Sequence, residues 1–84
     1  MTKTLRPLSE CSFGDYFLIK EINIEGPLRR RLLDLGFVKG AEISVLRKSP
    51  LGDPVAYRVS NTTIALRNDE SSRILGEIVR GAIK

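Results

Sequence analysis

The chain carries few groups that make or break bonds. It has no histidine and a single cysteine, Cys11. Cys/His zinc sites, Ser-His-Asp and Cys-His nucleophilic arrangements and the usual general base near neutral pH are therefore all missing. Without a histidine to activate its thiol, Cys11 reads as a small, partly buried hydrophobe rather than a redox or metal group. Among ten acidic residues, Asp69-Glu70 is the pair placed for an oxygen-loving cation. Two adjacent acids fall short of an oxygen cage, and the plainer reading has Asp69 capping a helical turn with Glu70 in solvent. Neither GxxxxGK[ST] nor GxGxxG occurs, so no nucleotide site has a motif behind it. Catalytic residues, metal ligands and cofactor contacts are expected to be absent, which leaves the chemistry of binding.

Binding has better candidates. Fourteen Lys and Arg give a net charge of +4, with one dense spot at Arg29-Arg30-Arg31. On a helix these three fan over about 200°, a collar rather than a patch, with Arg30 set to pair with Asp34 at i, i+4. Leu33, about 140° from Leu28, falls off the buried arc formed by Leu28, Leu32 and Leu35. An exposed leucine inside a charged rim has the composition of an interface. Leu51, in the proline-stiffened loop Pro50-Leu51-Gly52-Asp53-Pro54, is the second contact candidate. Arg29, Arg30, Arg31, Leu33 and Leu51 are thus the expected partner-facing residues. The charge alone permits nucleic acid, an acidic protein surface or an anionic membrane, and selects none of them.

These residues need elements to hold them. Gly26-Pro27 starts the helix, Gly36 suits its left-handed stop, and Phe37 is placed to fold back on Leu32. Lys39-Gly40 turns the chain into a strand at Glu42-Ile43-Ser44-Val45, continuing to Arg47. Before the helix, Phe13-Gly14-Asp15 turns into a strand candidate, Tyr16 to Ile22. After it, Ser49 to Pro54 is a hairpin loop. Alternation at Val55, Tyr57 and Val59, then at Ile64 and Leu66 beyond the Ser60-Asn61-Thr62 turn, predicts a second hairpin. Asn68 to Ser72 reads as one helical turn, and Ile74 to Val79 as a fifth strand in which Gly76 suits a bend or a close backbone approach. Five short strands with one helical insertion suggest a small closed β-barrel. The aromatic residues Phe13, Tyr16, Phe17, Phe37 and Tyr57 fall mostly at core-like positions.

At 84 residues, 42% hydrophobic and 29% charged, the composition is that of one soluble globular domain with too little core for a large enclosed active site. No run approaches the ~18 apolar residues of a membrane span, and MTKTLRPLSEC lacks a signal-peptide core, so a cytoplasmic location is expected. The lone cysteine agrees with a reducing compartment.

LLDLGFVKGAEISVLRKSPLGDPVAYRV followed by IALRNDESSRI resembles the FeoA family, the small cytosolic components of bacterial ferrous iron transport. The likeness covers about residues 8–79. It is carried by the leucine-rich helix ending at Gly36, the Gly40 turn, the Asp53-Pro54 loop and the Ile64-Ala65-Leu66-Arg67 strand. Asn68 to Ser72 departs from it, being more polar than the Ala-containing turn usual in the family. The resemblance implies a mainly β, five-stranded SH3-like barrel with a short helical insertion between strands 1 and 2, and no enzymatic activity. It also implies association with FeoB, a membrane permease with a cytosolic GTP-binding domain. On this reading residues 1–84 form a single domain that meets the membrane only through FeoB, binds no nucleic acid and no cofactor, and self-associates weakly if at all. Iron storage or delivery is disfavoured, because carboxylates alone would have to provide the site. Two alternatives stay open: a nucleic-acid-binding SH3-like module, and a metal-sensing module related to the C-terminal domain of iron-dependent repressors of the DtxR type. Nothing in the chain resembles the DNA-binding or dimerisation regions of those repressors.

Overall fold

The computed structural model describes residues 5–79. Its strands are β1 (Arg6–Pro7), β2 (Tyr16–Ile22), β3 (Glu42–Lys48), β4 (Val55–Val59), β5 (Thr62–Leu66) and β6 (Ile74–Val79). All pairings are antiparallel, in the order β1-β6-β2-β3-β4-β5. The expected mainly β fold is present, with its helix α1 (Pro27–Leu35) inserted between the first two long strands. Two details differ from the sequence reading. A sixth strand, β1, pairs with β6 through Arg6↔Gly76 and Pro7↔Leu75. Among the described residues the hydrogen-bonded ladder is also linear rather than closed, with β1 and β5 as its edges.

Strict alternation would put charged side chains into the core, and two bulges prevent this. With Phe17 and Ile19 inward, Glu21 would follow them by the period of two. The β2–β6 register instead slips between Ile19 and Glu21, leaving Lys20 as the extra residue. Glu21 stays exposed while Ile22 packs on the core. In β3 the register slips between Val45 and Arg47, so Leu46 is extra and Arg47 remains outside. Each bulge also bends its strand and increases its twist, which lets a small sheet wrap around one core.

That core gathers side chains from five strands and the connecting segments, among them Phe17, Ile19, Ile43, Val45, Tyr57, Val59, Leu66, Ile74, Leu8, Leu32 and Phe37. Cys11 is buried with them. Full burial of a side chain such as Leu32 contributes about 1.5–3 kcal/mol. Burial raises the Tyr57 phenol above its ordinary pKa, and a hydrogen bond with Ser71 draws it partly back. Gly76 makes the closest approach in the sheet: a Cβ there would overlap the Leu18 carbonyl oxygen and lie 2.9 Å from the Phe17 ring.

Helix α1 starts at Pro27 and stops as anticipated. Gly36 adopts φ 110°, its N–H meets Leu33 O at 3.1 Å, and the Phe37 N–H returns to Leu32 O at 2.9 Å. Leu32 is fully buried, with Leu28 and Leu35 packed beside it. The second helix, α2 (Asn68–Ser71), is capped differently from the sequence expectation. Glu70, not Asp69, does the capping, since its carboxylate accepts the Arg67 N–H at 2.9 Å. The Asp53 carboxylate accepts the Asn68 N–H, also at 2.9 Å, and so ties the β3–β4 loop to α2.

Candidate partner-docking site

The five partner-facing candidates separate into two places. Helix α1 leads into the Glu42 end of β3, while Leu51 lies beyond its Lys48 end. Seven strand residues at about 3.3 Å each put some 20 Å between them. Leu51 is 94% exposed at the corner of a turn closed by the Gly52 N–H to Ser49 O (2.8 Å) and the Ser49 N–H to Pro54 O (3.1 Å).

On α1 the three arginines have different roles. Arg29 Nη1 donates to Ile22 O at 3.0 Å and to Ile24 O at 3.4 Å, tethering the helix to the end of β2. Arg30 pairs with Asp34 as expected, at 3.6 Å, but both side chains are mostly in solvent, where such a pair stabilises by only a few tenths of a kcal/mol. Arg31 is exposed. Leu33 corrects the sequence reading: it is half-buried rather than exposed, because it forms part of a cleft between α1 and β2.

That cleft has a volume of about 380 Å³ and joins Leu33 and Ile22 to Lys20, Glu21, Arg29 and Lys39 above the buried Ile19. Backbone hydrogen bonding explains the arrangement. The Gly40 N–H donates to Ile19 O at 2.7 Å, and the Ile19 N–H to Ala41 O at 3.0 Å. Lys39 and Lys20 therefore flank the same tie, one on the turn after α1 and one at the β2 bulge. Neither lysine was singled out from the sequence. The detectable signal was the three-residue spacing from Ile19 to Ile22, which breaks a period of two and marks a bulge at Lys20 or Glu21.

A second groove, of about 360 Å³, lies on the outer face of the sheet beside Tyr16, Ser44 and Arg58, with Glu42 opposing Arg58 in charge. Tyr16 pairs with Val79 on one side and Ser44 on the other. Phe13 and Tyr16 are 77% and 41% exposed, so only Phe17, Phe37 and Tyr57 of the five aromatic residues occupy the core. Among the described residues no three His, Cys, Asp or Glu side chains cluster as metal ligands would, and no helix is long and apolar enough to cross a membrane.

Known proteins resemble this chain in sequence and in fold. An Fe(2+) transport protein A/Fe(2+) transporter FeoB fusion protein of Porphyromonas gingivalis (strain ATCC BAA-308 / W83) is 38% identical over 72 residues. The match takes in 86% of this chain and 8% of that protein, so the chain spans a small part of its length. The solution structure of the FeoA protein from Chlorobium tepidum superposes with a TM-score of 0.78 at 37% identity, over 90% of this chain and 70% of that one. The crystal structure of Stenotrophomonas maltophilia FeoA, a zinc complex described as a prokaryotic SH3 domain protein, gives 0.71 at 31% identity over 90% and 98%. A model of the FeoA domain matches residues 6–78, and the chain accordingly belongs to the FeoA domain family.

Proposed function

We propose that this chain is a non-enzymatic, cytoplasmic accessory of ferrous iron uptake that docks on the cytosolic part of a FeoB-type GTPase permease and modulates its assembly or activity. The observation that carries this reading is the fused relative. One polypeptide holding both an Fe(2+) transport protein A and FeoB keeps the two at high effective concentration. A separate chain of the same family needs a docking surface to reach the same arrangement. The poverty of catalytic side chains supports a binding role, since the chain has no histidine and its one thiol is buried. The surfaces offered are the α1 flank, with Arg29, Arg30, Arg31 and Leu33, and the Leu51 turn.

The test is capture of a FeoB-type permease from detergent-solubilised membranes by the immobilised full chain, with and without GTP. Retention in at least one nucleotide state is expected. Absence of retention in both would overturn the reading.

A further inference from the structure

We infer that the cleft between α1 and β2 receives a short acidic segment of the protein partner, anchored by an apolar side chain on Leu33 and Ile22. The inference rests on the docking role proposed above and names the surface and the chemistry that role would use.

Charge complementarity selects the occupant. Three cations, Lys20, Arg29 and Lys39, border the cleft against one carboxylate, Glu21. No ion pair within 4.0 Å involves either lysine among the described residues. Lys20 and Lys39 flank the Gly40–Ile19 backbone hydrogen bond, so the fold brings two like charges together. An anionic neighbour would complement the two lysines on the cleft rim, and complementary potentials of this kind guide encounter and set register. The groove beside Tyr16 has no comparable sign, because Arg58 and Glu42 balance there.

Rigidity favours the same place. Arg29 is held by its bonds to Ile22 O and Ile24 O and still has donors left on its five-donor guanidinium, so presenting them loses little side-chain freedom. The volume of about 380 Å³ suits a few side chains of a segment rather than a folded surface. Half-buried Leu33 and Ile22 provide an apolar centre within a charged rim, the composition of an interface core.

The experiment compares two charge-matched variants of the full chain. Lys20→Glu/Lys39→Glu reverses the cleft, and Lys48→Glu/Arg58→Glu reverses two exposed charges elsewhere; both take the net charge from +4 to zero. Affinity for the purified FeoB-type permease in detergent is measured at low and at physiological salt, with thermal melts to verify folding. The cleft pair is expected to bind at least tenfold more weakly and to lose most of its salt dependence, with the other pair within threefold of the unmodified chain. Equal weakening of both pairs would overturn the cleft while leaving the docking role intact, whereas no binding by the unmodified chain would overturn both. Sedimentation of the chain alone and flotation with phosphatidylglycerol vesicles cover the other occupants. Self-association, or vesicle binding, that the cleft pair abolishes would replace the acidic segment with a second copy or a membrane, and would equally overturn the inference.

Discussion

Replacing Gly76 with alanine tests the closest packing in the sheet. Its Cβ would overlap the Leu18 carbonyl oxygen, whereas Cβ atoms essentially never make non-bonded contacts under 3.0 Å. Gly76 sits in β6, opposite Ile19 of β2 and Arg6 of β1, so the overlap is met by backbone on a paired strand rather than by a flexible side chain. Relieving it requires β2 and β6 to part, which stretches neighbouring ladder bonds beyond useful length. Two such bonds at about 1 kcal/mol each, with about 1–3 kcal/mol for displacing the packed Phe17 ring, give a cost of about 3–5 kcal/mol. A domain of this size has a total stability of about 4–12 kcal/mol, so the variant should be marginal. Gly36→Ala is the control, since its Cβ would make only ordinary contacts, at 3.6 Å to Ser60 Oγ and 3.7 Å to Val59 Cγ2. The cost there is confined to a left-handed backbone carrying a side chain, about 1–2 kcal/mol. The chain contains no tryptophan, so urea unfolding is followed by tyrosine fluorescence and circular dichroism. A loss of 3 kcal/mol corresponds to a fall in Tm of about 12 °C or more. A Gly76→Ala variant within 0.5 kcal/mol of the unmodified chain, or one less affected than Gly36→Ala, would refute the close-approach argument.

Two further substitutions probe buried polar groups. The Tyr57 phenol has a folded pKa above its unfolded value. The unfolded chain therefore releases that proton first as pH rises past about 10, and stability falls on the alkaline side. Tyr57→Phe should lose about 1 kcal/mol near pH 7 with its Ser71 hydrogen bond, and then decline less steeply between pH 9 and 11; parallel urea midpoints for the two proteins across that range would refute the assignment. Ser49 Oγ is buried without a hydrogen-bond partner among the described residues. Ser49→Ala should thus raise the urea midpoint or leave it unchanged, and a loss above about 1 kcal/mol would show that the hydroxyl is satisfied.

What could be read from the chain depended on how local the determinant was. The Gly36 stop, the strand at Tyr16–Ile22 and the Arg30–Asp34 pair are set by residues within one turn or one strand of each other, and all three formed as read. β1 was not visible, because two residues ending in proline carry no strand signal until β6 supplies the partner. The capping role at α2 went to Glu70 rather than Asp69 because the N-cap position falls on Arg67, one residue earlier than the polar run suggests. The candidate site was half legible. Arg29 and Leu33 stood out on the helix, but Lys20 and Lys39 lie nineteen residues apart in the chain and are brought together by the Gly40–Ile19 hydrogen bond. Leu51 stood out as well, yet the length of β3 keeps it away from the helix.

The cleft and the fold share one cause. Keeping Glu21 out of the core forces an extra residue into β2, and the bulge falls on Lys20. The tight approach at Gly76, opposite Ile19, lies at that same slip in register. A bulge residue is released from the ladder, so its side chain is free to take a charge that a paired core position would not tolerate. Stability therefore requires the bulge but not a lysine in it, and the same holds for Lys39 beside Gly40. Glutamine at both positions would preserve the bulge, the turn and the core. The positive charge of the cleft is thus separable from folding, unlike Gly76 or Leu32, and its effect is to be sought in what binds there.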